Sequence, residues 1–328
     1  MHKFEKIFIG KAAGLVLAAF VFCGITVKAQ LQWVNVDSSF GISSPAFHVY
    51  KTTDSLDGKP FIAYYASVPL KDKHFEFTTD TTYKRRLTPT QFYERNAHPL
   101  LVVNASFFSF ETNSNLNVII NKGRLLAYNV SSLPMRGKDT FQYRHPFGSA
   151  IGIDKKRNAD VAWLFTDSSK KFAYALQQEV KAAKDSVSYL SLKQLQNNPQ
   201  APRFRKWKMK TGVGGGPVLV QQGKMHITNE EELKFTGKAI NDKHPRTAMG
   251  YTPDGQLIIL VIEGRYPGRA EGATLQQTAQ LLIHLGCTEA LNLDGGGSSC
   301  MLINGKETIK PSSNGVQRAV PAVFVIRN

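Results

Sequence analysis

Residues 290–299 (ALNLDGGGSS) place a short apolar strand directly before a carboxylate and three glycines. Side chains alternate between the two faces of a strand, so Asn292 and Asp294 are expected on one face and the leucines on the other. The glycines Gly295, Gly296 and Gly297 can take positive φ and expose backbone N–H groups that attract an anion. The segment therefore indicates either a site for a negatively charged substrate or a glycine-rich hairpin turn, and these residues alone leave both open.

The first residues have the pattern of a secretory signal peptide. Lys3, Lys6 and Lys11 precede an apolar stretch over residues 12–27, and residues 27–29 (VKA) follow it. The stretch is shorter than the ~20 residues that a spanning helix needs, although an uncleaved anchor stays an alternative. We expect a signal peptide over residues 1–29, export to the periplasm or the cell exterior, and no stable membrane span after cleavage.

The chain carries a formal net charge of +16, which favours acidic partners. For an exported protein, a phosphorylated or acidic glycan, or the membrane surface, is a better expectation than nucleic acid. The most basic tract, residues 203–210 (RFRKWKMK), alternates apolar and charged side chains. This alternation also predicts a half-buried strand with one solvated face.

Two cysteines, Cys287 and Cys300, lie beyond the signal segment. If residues 290–293 and 299–303 pair as a hairpin around the glycines, Cys300 lies opposite Leu293 and Cys287 lies six residues further along the first strand. At ~3.3 Å per residue this separation is roughly 20 Å, beyond the ~7 Å limit between the Cα atoms of a disulfide. We therefore expect both cysteines to be unpaired.

Residues 30–328 contain no repeat, low-complexity tract or long linker, and we expect one domain. Short β-type runs fill residues 47–82, and capping boxes at Thr88 and Thr274 predict two short helices. Helix-favouring residues over 179–196 predict a surface helix within a possible helical insertion at 170–200. Many short strands with few helices favour an α+β fold, a single domain of mixed, largely antiparallel β-sheets with a few packed helices.

Several apolar runs end in a polar or glycine-rich turn, which is where a site can form. These ends supply acids, a candidate base, arginines that can bind an anion, and open backbone, as cleavage of a glycosidic phosphodiester requires. The segments are residues 103–108 (VNASFF), 212–217 (GVGGGP), 244–248 (HPRTA), 263–265 (EGR) and 294–298 (DGGGS).

These blocks, in this order, resemble the phosphodiester glycosidase domains, a family that includes the lysosomal uncovering enzyme and many exported bacterial proteins. The resemblance covers residues 98–328. It implies an exported glycoside hydrolase that removes a sugar, of the N-acetylglucosamine kind, from a phosphodiester-linked glycan. The chain departs from the usual family pattern at Ala105-Ser106, where glycines are common, and at Glu263, where aspartate is common.

The resemblance also implies roles for single residues. Asp294 is expected to act as nucleophile or base, with Glu263 or His244 supplying the proton. Arg246 and the glycines 295–297 are expected to hold the phosphate. The full expected binding set is Asn104, Gly214, Gly215, Gly216, Arg246, Arg265, Asn292, Gly295, Gly296, Gly297, Ser298 and Arg318.

Other interpretations remain open from the residues. Glu263 could be a structural ion-pair acid, Arg246 a structural guanidinium, and His244 an ordinary loop residue. The protein could be a non-catalytic glycan-binding or exopolysaccharide assembly protein, or a secreted phosphodiesterase, although no metal-ligand cluster supports the last. No organic cofactor is expected. Asn292 and Asp294 could together bind calcium, but two residues are too few to specify such a site. We therefore expect no metal, with a structural or catalytic divalent cation as the alternative. The sequence does not specify the sugar, the aglycone, the anomeric outcome or the oligomeric state.

Overall fold

Antiparallel pairing between short strands dominates the architecture. The computed structural model describes residues 31–135, 139–185, 191–197 and 203–328, so the expected signal peptide over residues 1–29 lies outside the described part. Residues 31–328 gather into one compact unit. The fold is mainly antiparallel β-sheet with a few helices, in agreement with the broad expectation from the sequence.

The strands of the first half are, in chain order, β1 (Val34–Asn35), β2 (His48–Thr52), β3 (Ser55–Leu56), β4 (Lys59–Pro60), β5 (Ala63–Pro69), β6 (Glu76–Thr81), β7 (Leu101–Asn104), β8 (Ile119–Asn121), β9 (Arg124–Ala127), β10 (Leu133–Pro134), β11 (Tyr143–His145), β12 (Gly148–Asp154) and β13 (Ala159–Phe165). Those of the second half are β14 (Ala173–Leu176), β15 (Ala183–Asp185), β16 (Arg205–Trp207), β17 (Met209–Gly214), β18 (Val218–Gln221), β19 (Lys224–Met225), β20 (Arg246–Tyr251), β21 (Gln256–Ile262), β22 (Glu289–Asn292), β23 (Met301–Ile303), β24 (Lys306–Glu307) and β25 (Ala322–Arg327).

Three sheets carry most of the structure. The largest has the order β1-β2-β5-β21-β20-β22-β18-β19, the second β16-β14-β13-β12-β17-β8-β9, and the third β24-β23-β7-β25-β6. A three-stranded sheet (β10-β11-β15) and a small hairpin (β3-β4) complete the set among the described residues. The chain passes between large sheets directly after β17 and directly after β22, so these crossings bring the sheets together.

The core lies between the three large sheets. Met249 of the first sheet, Ile151 of the second and Phe324 of the third belong to one buried apolar cluster. The other face of the largest sheet packs against the helix Leu275–His284. Leu260 of the sheet and Leu275 of this helix belong to a second buried apolar cluster. Burial on both faces explains why residues 257–262 are continuously apolar instead of alternating.

Four α-helices lie in the described residues: α1 (Pro89–Arg95), α2 (Leu192–Asn197), α3 (Asn229–Glu232) and α4 (Leu275–His284). Both predicted capping boxes are confirmed. Thr88 accepts a hydrogen bond from the Gln91 N–H, and Thr274 accepts one from the Gln277 N–H, while each glutamine side chain accepts one from the cap N–H. The helices begin where the sequence predicts because these reciprocal bonds satisfy N–H groups that a helix start leaves free.

The region predicted as a helix over residues 179–196 differs from that expectation. Ala183–Asp185 form β15, the helix is limited to Leu192–Asn197, and residues 186–190 lie outside the described part. Helix propensity is a weak preference that pairing with a neighbouring strand overrides, and β15 pairs with β11. The basic tract is a half-buried pair of strands as predicted, with Trp207 buried and Lys206, Lys208 and Lys210 exposed.

The hairpin interpretation of the glycine segment, on which the cysteine argument is based, is wrong. β22 lies between β20 and β18 in the largest sheet, whereas β23 pairs with β7 in the third sheet. The glycines therefore belong to the segment that follows β22 and leads the chain from the largest sheet to the third sheet. The turn at Asn304-Gly305 does join β23 to β24, with φ of 47° and 76° at the two residues.

Cys287 and Cys300 are buried, and they are unpaired as predicted, although the hairpin argument that led to this prediction does not hold. Burial raises the pKa of the Cys287 thiol to about 12 and raises that of Cys300 still further. Both groups are protonated near neutral pH and shielded from reagents. Among the described residues, no helix has both the length and the apolar character needed to cross a bilayer.

We expect Cys287 and Cys300 to resist alkylation in the folded protein and to react fully once it is unfolded without reductant. The reason is that the reactive thiolate is absent at neutral pH and the sulfur atoms are inaccessible. Peptide mapping after labelling before and after unfolding checks this. A disulfide-linked peptide pair, or fast labelling in the folded state, would contradict the expectation.

Candidate active site

Three strands of the largest sheet present polar residues at one edge. Arg246, the first residue of β20, pairs with Ile262 at the end of β21, and Ala248 pairs with Asn292 at the end of β22. Because the pairing is antiparallel, the start of β20 and the ends of its two neighbours meet at the same edge. The sequence blocks around residues 246, 263 and 294 are therefore brought together, as strand ends.

The Asn104 side chain joins this edge to the third sheet. It is fully buried; its Nδ2 donates to the Asp294 carbonyl at 2.6 Å, and its Oδ1 accepts from the Thr247 hydroxyl at 2.8 Å and from the Cys300 N–H at 3.1 Å. The Asp294 N–H donates to the Ala105 carbonyl at 3.0 Å. Asn104 thus positions the backbone of Asp294, and no donor of its amide faces open space as the expected substrate contact requires.

Asp294 follows the end of β22 and carries the most perturbed carboxyl of the site. Burial raises its pKa to about 7, against the opposing effects of the Ser298 hydroxyl, the Arg318 charge and the Gly295 N–H. Its Oδ2 is buried and has no hydrogen-bond partner among the described residues. A carboxyl with this pKa and a free oxygen can accept or release a proton near neutral pH.

Two arginines lie over the turn that follows Asp294. Arg265 guanidinium atoms lie 3.0 Å from the position that a Cβ on Gly296 would take, and Arg318 would collide with a Cβ on Gly297. Glycine is favoured at 296 because φ is +60°, and at 297 a larger residue would displace the Arg318 guanidinium from the backbone. The Arg318 Nη1 lies 3.5 Å from the Ser298 hydroxyl, which links the arginine to Asp294.

Arg265 is held in an unusual backbone conformation. Its φ is 65°, in the left-handed region that bulky residues rarely take, and its side chain is exposed. The Arg318 charge and burial lower the pKa of Arg265, with burial the larger cause. In the described part of the chain, neither arginine forms an ion pair with an acidic side chain, and two like charges held close together favour binding of an anion.

Arg246 is deeper than expected. Its Nε donates to the Ala273 carbonyl at 2.9 Å, its Nη2 donates to the Asp242 carbonyl at 3.1 Å, and its guanidinium lies 5.8 Å from the Phe235 ring centre. Burial, and then Arg265, lower the pKa of Arg246 to about 10, so it remains charged at neutral pH. These contacts support the structural interpretation of Arg246 and leave the exposed Arg265 and the half-buried Arg318 as the cations available to an anion.

His244 lies beside the arginines as a neutral imidazole. Burial, Arg246 and Arg265 lower its pKa, and Asp242 opposes them. Its Nδ1 is buried without a hydrogen-bond partner among the described residues. A lowered pKa makes His244 a poor proton donor at neutral pH and a suitable acceptor.

Glu263 has both oxygens occupied. Oε1 accepts from the Arg269 Nε at 2.8 Å and Oε2 accepts from the Lys310 N–H at 2.8 Å, and the residue is 2% exposed. This arrangement supports the structural ion-pair interpretation, because a carboxylate fixed by two donors is not available to a substrate. Glu263 instead joins β21 to the segment that leads to Arg318.

The two glycine-rich segments do not present the row of free amides that the sequence suggests. The N–H groups of Gly214, Gly215 and Gly216 donate to the carbonyls of Val118, Ser149 and Asn292. The Gly296 N–H donates to the Pro245 carbonyl at 2.8 Å, and the Gly295 N–H lowers the pKa of the neighbouring Asp294 carboxyl. The glycines therefore permit close backbone packing, and anion binding falls mainly to the arginines.

Asn292 belongs to the same packing. Its Nδ2 donates to the Gly216 carbonyl at 3.0 Å and to the Leu293 carbonyl at 2.8 Å. Its Oδ1 is buried without a hydrogen-bond partner among the described residues. The residue thus ties the crossing after β17 to the end of β22 directly before Asp294.

Lys234 is a cation near the site that the sequence analysis missed. Burial lowers its pKa, with Glu232 opposing, and its Nζ lies 5.4 Å from the Phe107 ring centre. The Phe107 and Phe235 rings meet edge to face at 5.9 Å. A single lysine in a loop after a short acidic helix carries no motif, so only the fold could reveal it.

The described residues contain no group of three or more histidine, cysteine or acidic side chains arranged to hold a metal ion. Asn292 Oδ1 and Asp294 Oδ2 both lack a hydrogen-bond partner among the described residues, but two side-chain oxygens are too few to specify calcium. The ionisable groups that remain are one perturbed carboxyl, one neutral imidazole and several cations. They can bind an anionic group and move a proton beside it.

Comparisons with known proteins agree with this fold. The sequence pattern of the family described as Phosphodiester glycosidase matches residues 97–327. The human N-acetylglucosamine-1-phosphodiester alpha-N-acetylglucosaminidase is 33% identical over 110 residues, which are 31% of this chain and 21% of that protein. The SPbeta prophage-derived uncharacterized protein YomE of Bacillus subtilis (strain 168) is 43% identical over 87 residues, 26% of this chain and 13% of that protein. The matches thus span about a fifth or less of these relatives.

Solved structures share the fold at low sequence identity. A hypothetical protein from Synechocystis superposes with a TM-score of 0.62 at 14% identity, covering 90% of this chain and 68% of that one. The zebrafish N-acetylglucosamine-1-phosphodiester alpha-N-acetylglucosaminidase catalytic domain, auto-inhibited by its pro-peptide, gives 0.56 at 20% identity, covering 87% of this chain and 85% of that one. The family pattern spans most of the chain and confirms the resemblance found in the sequence: the chain belongs to the phosphodiester glycosidase family.

Proposed function

We propose that this protein is an exported hydrolase that releases a sugar from a phosphodiester-linked glycan, with Asp294 as the base that activates water. The observation that carries this proposal is the Asp294 carboxyl, which has a pKa of about 7 and an Oδ2 without a hydrogen-bond partner among the described residues. It lies beside two cations, the exposed Arg265 and the half-buried Arg318. A perturbed acid next to an anion-binding pair fits a substrate whose reactive bond joins a sugar to phosphate.

The leaving group explains why one carboxylate suffices. When the bond between the sugar carbon and the bridging oxygen breaks, that oxygen departs on a phosphate monoester whose second pKa is about 6. An ordinary glycoside releases an alkoxide, whose conjugate acid has a pKa near that of water, ~15.7, and so needs a proton donor. The phosphate needs instead compensation for one additional negative charge, which Arg265 and Arg318 supply.

The attacking water supplies the other half of the reaction. Its oxygen forms the new bond to the sugar carbon, its proton passes to the Asp294 carboxylate, and the bonding electrons leave with the phosphate. Asp294 then returns the proton to solvent. Because this assignment uses a base and no covalent intermediate, the proposal predicts inversion at the sugar carbon.

Other groups bind and orient the substrate in this proposal. The neutral His244 imidazole accepts a hydrogen bond from a sugar hydroxyl, and the half-buried Phe107 ring packs against the sugar face, next to the Lys234 ammonium. Glu263 fixes the segment leading to Arg318, and Arg246 fixes the start of β20. No organic cofactor is needed, since no electrons are transferred and the leaving group is stable.

The rival functions give different products. A synthetic phosphodiester of N-acetylglucosamine, incubated with the protein in ¹⁸O-labelled water, should yield labelled free sugar and unlabelled phosphate monoester. Label in the phosphate would mean cleavage at phosphorus and would replace the glycosidase with a phosphodiesterase. Tight binding without release of sugar would make the protein a glycan-binding or assembly protein.

Asp294→Asn should lower turnover of the phosphodiester by at least ~10²-fold, the usual scale for loss of a positioned base. In the unchanged protein, kcat/KM should rise with pH through about 7, because the carboxylate form is the active one. Rates measured from about pH 5 to about pH 9 check both points. The matched control is Glu263→Gln. This change should lower the free energy of unfolding but should have little effect on the turnover of correctly folded protein.

Near-normal turnover of Asp294→Asn would remove it from the mechanism. A larger loss of turnover in folded Glu263→Gln than in Asp294→Asn would return the catalytic role to Glu263. Nuclear magnetic resonance of the first product formed distinguishes the two possible uses of a carboxylate. A retained sugar configuration would make Asp294 a nucleophile instead of a base.

Asp294→Asn should also stabilise the protein, and more so at higher pH. The Asp294 pKa is about 7 when folded, against ~3.9 for an unfolded aspartate, so ionisation opposes folding fully above pH ~7 and not at all below pH ~4. Asparagine avoids this cost. The free energy of unfolding should favour the variant by on the order of 1–3 kcal/mol more at pH ~8 than at pH ~5. Denaturant titration at the two pH values checks this, and a pH-independent difference would contradict it.

Arg318→Gln should impair hydrolysis of the phosphodiester far more than hydrolysis of an aryl glycoside of the same sugar. The aryl substrate has no phosphate, so the lost contact affects only one of the two leaving groups. A charged hydrogen bond contributes ~1.5–3 kcal/mol, or roughly ten- to a hundredfold in kcat/KM. Arg124→Gln, at an exposed position on β9, is the charge-matched control and should change neither rate. Equal losses on both substrates would remove Arg318 from phosphate binding.

A further inference from the structure

A strongly basic groove lies on the second sheet. It has a volume of about 1040 Å³, and lysines contribute seven of its lining side chains. Three of them, Lys206, Lys208 and Lys210, come from the basic tract of the sequence, and the proposed catalytic mechanism uses none of them. We refer to this feature as the lysine groove.

The strand pattern produces the lysine groove. Trp207 is buried and Met209 half-buried on one face, so the three lysines that alternate with them are directed to solvent. Turns add the remaining cations. Lys122 lies in the turn between β8 and β9, Lys155 and Lys156 in the turn between β12 and β13, and Lys171 precedes β14.

The lysine groove has almost no internal counter-charge. Its lining contains one carboxylate, Asp154, whose oxygens accept hydrogen bonds from the Asn158 N–H at 2.9 Å and Nδ2 at 3.1 Å. In the described part of the chain, no ion pair joins an acidic side chain to any of its seven lysines. Like charges held together in this way repel one another unless an anion binds between them.

The lysine groove is separate from the site around Asp294. Lys210 lies near the start of β17 and Gly214 at its end, and four residues of strand span ~13 Å. Gly214 begins the crossing that packs against Asn292, so the two anion-binding regions lie at opposite ends of one strand. A ligand that reaches both would have to be extended.

The surroundings favour a soluble polymer over a membrane. Binding at a membrane surface combines basic residues with exposed apolar or aromatic side chains that enter the lipid. The large apolar side chains that are exposed in the described residues, such as Tyr83, Phe110 and Phe141, are not part of the lining. Phe172 in the lining is half-buried beneath the Lys171 ammonium, 5.6 Å from its ring centre.

We propose that the lysine groove binds an extended anionic glycan with phosphate groups along its length, and so holds the polymer from which the site around Asp294 releases sugar. The anionic, polymeric character of the ligand follows from the groove, while the identity of the polymer as substrate rests on the proposed function. Multiple weak contacts along one chain raise the overall affinity without a tight single site.

The test uses a linear polysaccharide with phosphodiester-linked repeats, carrying a fluorophore at one end, and a neutral dextran of equal length. Fluorescence anisotropy should show that the full-length protein binds the first and not the second, with affinity falling as salt rises. The variant Lys206→Gln/Lys208→Gln/Lys210→Gln should bind roughly tenfold more weakly, since three exposed charged contacts are lost. These side chains are exposed and repel one another, so the unfolding temperature of the variant should be the same as that of the unchanged protein or slightly higher.

The matched control is Lys84→Gln/Lys224→Gln/Lys306→Gln, which removes the same charge at exposed positions away from the lysine groove. It should lower affinity for the polymer by less than about twofold. An equal loss in both triple variants, or no binding of the polymer by the unchanged protein, would overturn the inference. Binding to phosphatidylglycerol vesicles without binding to the polymer would also overturn it and make the groove a membrane contact.

A short phosphodiester of N-acetylglucosamine separates this inference from the proposed function. Its turnover should be the same in both triple variants, because it is too small to reach the lysine groove. If no phosphodiester is hydrolysed while polymer binding depends on the groove lysines, the proposed function fails and the groove remains a binding site. If the short substrate is hydrolysed and the polymer does not bind, only the groove inference fails.

Discussion

The buried Asn104 amide is the interaction on which the rest of the site depends. It ends a strand of the third sheet, yet its three hydrogen bonds reach the Asp294 backbone, the Thr247 hydroxyl and the Cys300 N–H. A buried amide with every one of these bonds intact allows little freedom in how the sheets meet, because an unmade bond in this place costs about 1–3 kcal/mol. The position of Asp294 is thus determined by packing between sheets and not by its own turn.

The site balances two opposing effects on a single carboxyl. Burial disfavours the charge of Asp294, whereas Ser298, Arg318 and the Gly295 N–H favour it, and the result is a pKa of about 7. The neighbouring cations are not bound tightly to this carboxylate, so they remain available to a second anion. In the proposed reaction, a phosphate between Arg265 and Arg318 would meet positive charge that no acidic side chain of the described residues pairs with.

Much of the fold could be predicted from local patterns, whereas the roles of several site residues could not. The capping boxes at Thr88 and Thr274 and the polar strand ends follow from chemistry within a few residues of each other. The hairpin around Gly295–Gly297 failed because no local pattern specifies which sheet a strand joins. The Glu263 carboxylate could be assigned to Arg269 and the Lys310 N–H only when segments distant in sequence were placed together. Lys234 had no local signal at all.

The bonds of Asn104 also have a consequence for the order of folding. Its hydrogen-bond partners are the Thr247 hydroxyl, the Asp294 carbonyl and the Cys300 N–H. These groups are 143, 190 and 196 residues from Asn104 along the chain. Contacts between residues so far apart require closure of long loops and form slowly. The third sheet is complete only after β25 has paired with β6 and β7, so the surroundings of Asp294 assemble late in folding, after segments from both halves of the sequence have met.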